Sequence, residues 1–576
     1  MRSSGFGGVE AAEGWLDGAI REYRESGGQP HSGPAYDPLS ANEQQRWAVA
    51  LILKTVKAWV EGQGYRPLRL LVAGVAGTGK SFVIHVVTRL LRQLFRGRPV
   101  AQVYCPTGLA AFQVGGRTAH SLFKIPTGSS AHRELAPPSG ERLRSLQESL
   151  RHAIALIGGE RGMMGRTSLG WQEFNASCAP VSGPGDARSP SSWGNRPVVA
   201  LLGDDLQLPP VMDVAPYNRS HRGPASNHGL TTHDEFDEAV VLTEMMRQSS
   251  EDAQLRGLLT RMRTYDATKE DLGWLMSLQV DKQPNKAWIE DSGLYLFSTH
   301  KEEQERNHSK LKEVNSPAAP VAAIRAKDSG PHAAKATADA AGGLSERALF
   351  CRGARFMLTS GLCQEWGLYN GAIGVVVDVI FKPGERPARH LPAVVLVEFN
   401  AYCGPAFLRE RPRVVPIVPV ERQCDCTCRP RCTRTMIPGQ LAWGITFHKS
   451  QGLTVGPGCD AQCVVVHPPK TNFEGRCPGG LYVALSRAKT AGKGEYGAPD
   501  YVPSALYLPA LASMERLAVR VDNETTRARQ AQADRIAAIA EETKLRNDGL
   551  LDQYEALVRW AQTPLPDEVI DGLLRK

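Results

Sequence analysis

The stretch Gly74-Val75-Ala76-Gly77-Thr78-Gly79-Lys80-Ser81 satisfies the pattern GxxxxGK[ST] and limits the possible folds more than any other. An apolar run, Leu68 to Ala73, precedes it, and the amphipathic run FVIHVVTRLLRQLF follows it. The predicted context is therefore strand, glycine-rich loop, helix. Glycines let successive backbone N–H groups turn inward around a phosphate. The helix turns its positive N-terminal end toward the same anion. Lys80 is placed to reach the β- and γ-phosphates, and the Ser81 hydroxyl to ligate Mg²⁺. A merely structural turn is the competing reading, and the strand and helix on either side count against it. The chain is expected to bind a nucleoside triphosphate.

At 576 residues there is room for more than one domain. The net charge of +8 permits a polyanionic partner without establishing one. No apolar run approaches the length of a membrane span. The N-terminal region carries Glu10, Glu13, Asp17, Glu22 and Glu25 and has no apolar signal segment. An intracellular protein with mostly reduced cysteines is expected.

Residues 1–38 are rich in Gly, Ser and Pro and read as a flexible lead-in. A helix then runs to about Glu61, with Asn42 or Ser40 as its cap. Gln45, upstream of the P-loop strand, has the two-sided amide needed to read an adenine edge. Val100 to Cys105 forms a second strand, Pro106-Thr107-Gly108 a turn, and Leu109 to Phe112 start a helix. Thr107, Thr118, His120 and Ser121 supply small donors suited to phosphate oxygens, although an isolated histidine is more often structural. Residues 126–148 read as a surface insertion and 178–197 as a loop. Apolar strands end near Gly159-Glu160 and at Gly203-Asp204-Asp205-Leu206-Gln207. Strands separated by helical patterns after a P-loop predict a parallel α/β sheet. Ligands bind such sheets at the carboxyl ends of the strands, where Glu160, Asp204 and Gln207 fall.

These segments resemble the Pif-one (petite integration frequency) DNA helicases, RecD-like members of helicase superfamily one. The P-loop, PTGLAAFQVGGRTAHS and GDDLQLPPV occur in the family's order. Leu242 to Gln248 is similar to its LxxNxRQ motif, with Met245 in place of Asn. Residues 353–358 and 367–374 resemble the entry to its small inserted barrel. Leu441 to Thr454, LAWGITFHKSQGLT, and Tyr482 to Arg487, YVALSR, match its last two motifs. The likeness covers roughly residues 40–510. It implies an α/β fold of two RecA-like P-loop NTPase domains with a small SH3-like β-barrel inserted in the second. Domain 1 would span 39–241, with a small insertion at 122–150. Domain 2 would comprise 242–350 and 441–512, interrupted by the barrel at 351–440, and a helical tail at 513–576 would pack on the second domain.

The resemblance further implies an ATP-dependent DNA helicase, an ATP hydrolase moving 5′ to 3′ on single-stranded DNA. Its work would lie in DNA repair after damage, recombination, replication, including that of mobile elements, or telomere maintenance. ATP and Mg²⁺ are the implied cofactors, single-stranded and duplex DNA the partners, and the nucleus the location, with no membrane role. ATP would be held by Gln45, Gly74, Gly77, Thr78, Gly79, Lys80 and Ser81, with Ser81 on the metal. Lys80, Glu160 and Gln207 would act in hydrolysis. Arg247 and Arg487 would reach the γ-phosphate from the second domain as arginine fingers. Such cations neutralise charge on the transferring phosphoryl group. Thr107, His120, Thr446, His448, Ser450 and Gln451 would face the DNA strand by backbone contacts and stacking.

Two features depart from the pattern. The family's magnesium strand ends in Asp-Glu-x-Ser-Met, whereas this chain reads Gly159-Glu160-Arg161-Gly162-Met163. The missing aspartate should weaken metal placement and hydrolysis, with Glu160 left as the base that orients water. The rival reading is a hydrolysis-impaired, transposon-derived DNA-binding remnant. A P-loop switch with no DNA role is a third reading, and HKSQG and YVALSR count against it. The second departure is Cys424, Cys426, Cys428 and Cys432, whose C-x-C-x-C-x₃-C spacing suits one tetrahedral zinc poorly. They read as a reduced thiol-rich insertion. Residues 314–343, rich in Ala and Pro, read as a flexible surface segment.

Overall fold

A computed structural model describes residues 9–26, 36–126, 134–181, 192–248, 252–387, 389–425, 431–469, 472–494, 496–518 and 521–574. The chain divides into two compact units. One comprises residues 32–277, 469–503 and 512–576, the other residues 1–31, 278–468 and 504–511.

The first unit is built on six parallel strands: β1 (Leu68–Gly74), β2 (Ala101–Cys105), β3 (Arg117–Thr118), β4 (Ala155–Gly158), β5 (Val198–Gly203) and β6 (Glu238–Leu242), in the order β3-β2-β4-β5-β1-β6. Leu70 pairs with Ala200 and with Glu238, so β1 runs centrally between β5 and β6. Alternation divides the strand residues between two cores. Leu70, Val72, Val198, Ala200 and Leu202 face one apolar cluster, and Leu71, Val199 and Leu201 face the other. A parallel sheet apolar on both faces must be covered on both. The helices Glu43–Val60 and Lys80–Leu94 cover one face, and Arg166–Ser177 and Gly140–Leu150 the other.

The helix Glu43–Val60 starts at Asn42, whose side chain accepts from the Gln45 N–H, so Asn42 rather than Ser40 is the cap. Gly140–Leu150 is a helix whose Leu146 and Leu150 are fully buried, while most of its other residues are exposed, so the expected surface insertion is tied to the core chiefly through Leu146. The tail also differs from expectation. Ile536 and Ala540 of the helix Glu524–Arg546 join the core around Leu71, and Leu557, Val558 and Ile570 join the core around Leu90. It therefore packs on the P-loop unit. Residues 242–277 and 469–503 belong to that unit too.

The second unit holds a parallel sheet of Leu294–Phe297, Gly444–Thr446, Val464–Val466 and Leu506–Tyr507. Between them in sequence, residues 355–441 supply a five-stranded antiparallel sheet. The expected flexible lead is helical at Val9–Glu13 and Trp15–Glu25. Ala12 packs with Val394, Leu396 and Val414, and the Trp15 ring meets Phe407 edge-on at 5.2 Å. The apolar stripe of this short amphipathic segment is thus paired with a sheet face. Residues 314–343 are also ordered more than composition suggests. They contribute the strands Ala322–Arg325 and Lys327–Ser329, and fully buried Arg434 donates to the carbonyls of Ala333, Ala336 and Leu344 while pairing with Asp328 at 2.7 Å.

Cys424 and Cys432 are buried, and the Cys424 N–H donates to the Cys432 carbonyl at 2.8 Å. Cys426 and Cys428 lie outside the described residues. Among the described residues, no group of three or more His, Cys, Asp or Glu side chains is placed to hold a metal, and no helix is long and apolar enough to cross a membrane.

Candidate functional site

The site lies in the P-loop unit, where β1, β4 and β5 end. Gly77 and Gly79 adopt left-handed backbone angles, φ +91° and +82°. Both also need to be bare. A Cβ on Gly79 would stand 2.3 Å from the Gln45 amide nitrogen, and one on Gly77 would stand 2.8 Å from the Arg247 Cβ. The loop is therefore gripped on two sides. Gln45 is buried and donates through Nε2 to the Thr78 carbonyl at 3.3 Å, while its Oε1 accepts from the Asn42 N–H. On the other side the Met246 and Arg247 N–H groups donate to the Gly77 carbonyl at 2.7 and 3.1 Å.

Lys80 caps the loop from inside, donating to the carbonyls of Gly74 and Val75 at 2.7 and 2.9 Å. Burial pushes its ammonium down to about 8, against the pull of Asp204 and Glu160. Both carboxylates therefore act on the lysine from the ends of neighbouring strands. Ser81, the first residue after Lys80, is exposed. Glu160 follows β4 with a left-handed φ of +52°.

Arg247 and Arg487 belong to the same compact unit as the P-loop, not to a separate body. The Arg247 guanidinium donates to the Ser486 carbonyl at 3.2 Å. Arg487 is buried, and burial pushes it down to about 10, with Arg247 adding to the drop and Glu160 opposing it. Lys80, Glu160, Arg247 and Arg487 thus form one cluster of interacting charges. Gln207, also buried, ends the turn after β5, where its N–H donates to the Asp204 carbonyl at 3.2 Å.

Several contributors were not singled out from sequence. Tyr482, five residues before Arg487, accepts from the P-loop Ala76 N–H at 3.4 Å. Arg263 grips Asp204 with two nitrogens, at 2.8 and 3.3 Å. Burial works to raise the Asp204 carboxyl, but Arg263 and Lys80 outweigh it and hold it below the usual range. Arg161 forms a buried pair with Asp205 at 2.6 Å. Tyr482 and Arg161 stand inside quoted motifs, but Arg263 lies in a helix with no motif, and no local pattern marks it.

Position 159 explains itself sterically. A Cβ on Gly159 would stand 2.7 Å from the Cys105 sulfur at the end of β2, and one on Gly162 would stand 2.4 Å from the Asp204 carbonyl oxygen. The two missing family residues are therefore matched by close packing around bare backbone.

The residues expected along a DNA strand fall in both units. In the P-loop unit, the Thr107 hydroxyl caps the helix Gly108–Gln113, and His120 is exposed. In the other unit Thr446, Ser450 and Gln451 are buried, and the Ser450 hydroxyl donates to the Phe447 carbonyl at 2.8 Å. Of these four, His448 alone keeps a partly exposed side chain. Ser450 and Gln451 thus stand beneath the surface in this arrangement.

With this geometry the chain can be set beside known proteins. Residues 41–261 match the family of PIF1-like helicases. The ATP-dependent DNA helicase PIF1 of Danio rerio is 30% identical over 425 residues, covering 72% of this chain and 56% of that protein. The Homo sapiens protein of the same name is 27% identical over 468 residues, covering 79% and 60%. The chain spans little more than half the length of these relatives. In fold it is similar to the Pif1 helicase of Candida albicans, with a TM-score of 0.60 at 20% identity over 86% of this chain and 99% of that one. It is also similar to a Bacteroides Pif1 bound to ssDNA, with a TM-score of 0.56 at 21% identity over 86% and 97%.

Proposed function

We propose, from the premise that this chain belongs to the PIF1-like helicase family, that it is an ATP-driven motor that tracks along single-stranded DNA from 5′ to 3′ and unwinds duplex ahead of it. The observation that carries this reading is the convergence of Lys80, Glu160, Arg247 and Arg487 on one phosphate-binding loop. Phosphoryl transfer needs little covalent help from a protein and much placed positive charge. Lys80 would hold the β- and γ-phosphates, Gln207 would sense the γ-phosphate, and the two arginines would neutralise charge on it as it leaves. Glu160 would orient the attacking water. Gln45, already against Thr78, would read the adenine. Outside this site, Thr107, His120 and His448 would bear on the DNA backbone.

The oxygen donors present fit Mg²⁺, with one carboxylate fewer than the family pattern. Ser81 is exposed at the start of the helix, and Glu160 and Asp204 both act on Lys80, whereas Asp204 is held by Arg263. Ser81 and Glu160 would hold the ion, directly or through water. Held there, the ion would supply Lewis-acid stabilisation of the charge on the phosphates. With a DNA substrate, the place of action would be intracellular and nuclear, and the task one of repair, recombination, replication or telomere maintenance.

DNA-stimulated ATP hydrolysis, followed by unwinding of duplexes with either a 5′ or a 3′ single-stranded tail, tests the reading. Turnover that rises with single-stranded DNA, vanishes in Lys80→Ala and opens only the 5′-tailed duplex is expected. DNA binding without turnover would instead favour the impaired remnant, for which the bare position 159 is the specific observation.

A further inference from the structure

The C-terminal helix Glu524–Arg546 sends one arginine back into the catalytic unit. Arg529 is 3% exposed. Its Nε donates to the Asp205 carbonyl at 2.7 Å, one terminal nitrogen to the Pro478 carbonyl at 2.6 Å, and the other to the Gln207 carbonyl. All three partners are backbone oxygens. Two belong to the turn that carries Gln207, and the third lies two residues before the helix Gly480–Leu485, which leads to Ser486 and Arg487. The two segments meet closely at this point: a Cβ on Gly479 would stand 2.5 Å from the Leu206 carbonyl oxygen and 3.2 Å from an Arg529 terminal nitrogen.

We propose that Arg529 is a positioning residue for ATP hydrolysis, a three-way clamp that holds the Gln207 turn against the base of the arginine helix. The inference rests on the ATPase reading above. A buried guanidinium is costly, and its five donors in a fixed fork are the reason to use one here. A lysine ammonium also has three donors, but they radiate from one nitrogen, whereas the planar fork sets the spacing of three carbonyls from two loops.

Neighbouring contacts point the same way. Glu474 accepts from the Gly479 N–H at 2.9 Å and from the Tyr265 hydroxyl at 2.8 Å. Asn523, which caps the C-terminal helix, donates to the Gly475 carbonyl at 3.0 Å. The turn before the arginine helix is therefore held from three sides, and Arg529 alone among these groups also reaches the Gln207 turn. Arg529 touches no reacting atom. It would act by keeping a γ-phosphate sensor and an arginine finger in register, where a displacement of about 1 Å costs on the order of a hundredfold in rate.

The test compares wild type, Arg529→Met and Arg529→Lys as full chains, with ATP turnover measured on a saturating oligothymidylate and thermal melting measured alongside. Met keeps the buried bulk without donors, and Lys keeps the charge without the fork. The expected result for Met is kcat lowered about ten- to a hundredfold with KM for ATP changed by less than about threefold. Lys should recover part of that loss. If Met fails to fold, Lys alone carries the test, with kcat several-fold down at unchanged KM. Wild-type kcat per folded molecule in Met, or in Lys where Met does not fold, would overturn the clamp, even if melting fell. A wild-type protein that hydrolyses no ATP would overturn the helicase reading, and with it the clamp's purpose.

Discussion

The Cys105 sulfur occupies the space into which a side chain at Gly159 would grow, 2.7 Å from the Cβ position. Burial pushes that thiol well above its ordinary range, so it stays protonated and supplies no charge to the site. The two positions are thus sterically coupled. Gly159→Asp alone should melt at a lower temperature and gain no turnover, because the carboxylate must displace a packed sulfur. Gly159→Asp with Cys105→Ala should regain stability and raise DNA-stimulated ATP turnover by about tenfold or more, which needs only about 1.4 kcal/mol of transition-state stabilisation. Melting curves and steady-state kinetics on the single and double variants decide. A single variant that is both stable and faster would contradict the coupling.

Arg487 is buried beside Arg247 and stays cationic at neutral pH. Its removal should therefore cost catalysis more than binding. Arg487→Ala is expected to lower kcat by about a thousandfold or more, the range found for arginine fingers, while nucleotide affinity stays near wild type. Arg487→Lys should not restore turnover, since an ammonium cannot also reproduce the bonds to the Val483 carbonyl and the Ser486 hydroxyl. Fluorescent-nucleotide titration beside kinetics separates the two effects. Equal losses in both would place Arg487 in binding.

His228 and Glu173 form a hydrogen-bonded pair on the far face of the sheet. The bond raises His228 above its ordinary 6.5. Burial works to raise Glu173, but bonds from His228, Ser177 and the Trp193 N–H outweigh it and bring it below 4.5. The signs then set a window. The histidine contribution is complete below 6.5 and is lost as pH rises through its raised folded value. The glutamate contribution is complete above 4.5 and is lost as pH falls through its lowered folded value. Denaturant unfolding of wild type minus His228→Ala should show the largest difference between these limits and a smaller one at pH 9. A difference independent of pH would rule out the ionic pair as its source.

Arg434 holds the segment 322–344 through Asp328 and three carbonyls. Arg434→Ala leaves those acceptors without their donor, so the variant should lose about 3 kcal/mol of stability. Urea unfolding measures the loss. Proteolysis mapped within residues 322–344 tests its location, and cleavage elsewhere would show that the segment does not depend on this arginine.

The phosphate loop, with Lys80 and Ser81 in it, and the apolar strand before it were legible in the sequence alone. Those features are local: glycine conformations, a strand that alternates or runs apolar, and motif residues spaced within one turn. Tertiary structure decided the rest. Gly159 reads as a loss until Cys105, 54 residues away, is seen filling the place of its side chain. The Ala- and Pro-rich stretch reads as loose because the cation that gathers its carbonyls, Arg434, stands about a hundred residues downstream. Arg529 belongs to a polar helix with no motif, and its meaning comes only from the three distant carbonyls it meets. A backbone carbonyl carries no sequence signature, so a side chain that works by holding carbonyls can be recognised only once the chain has folded around it.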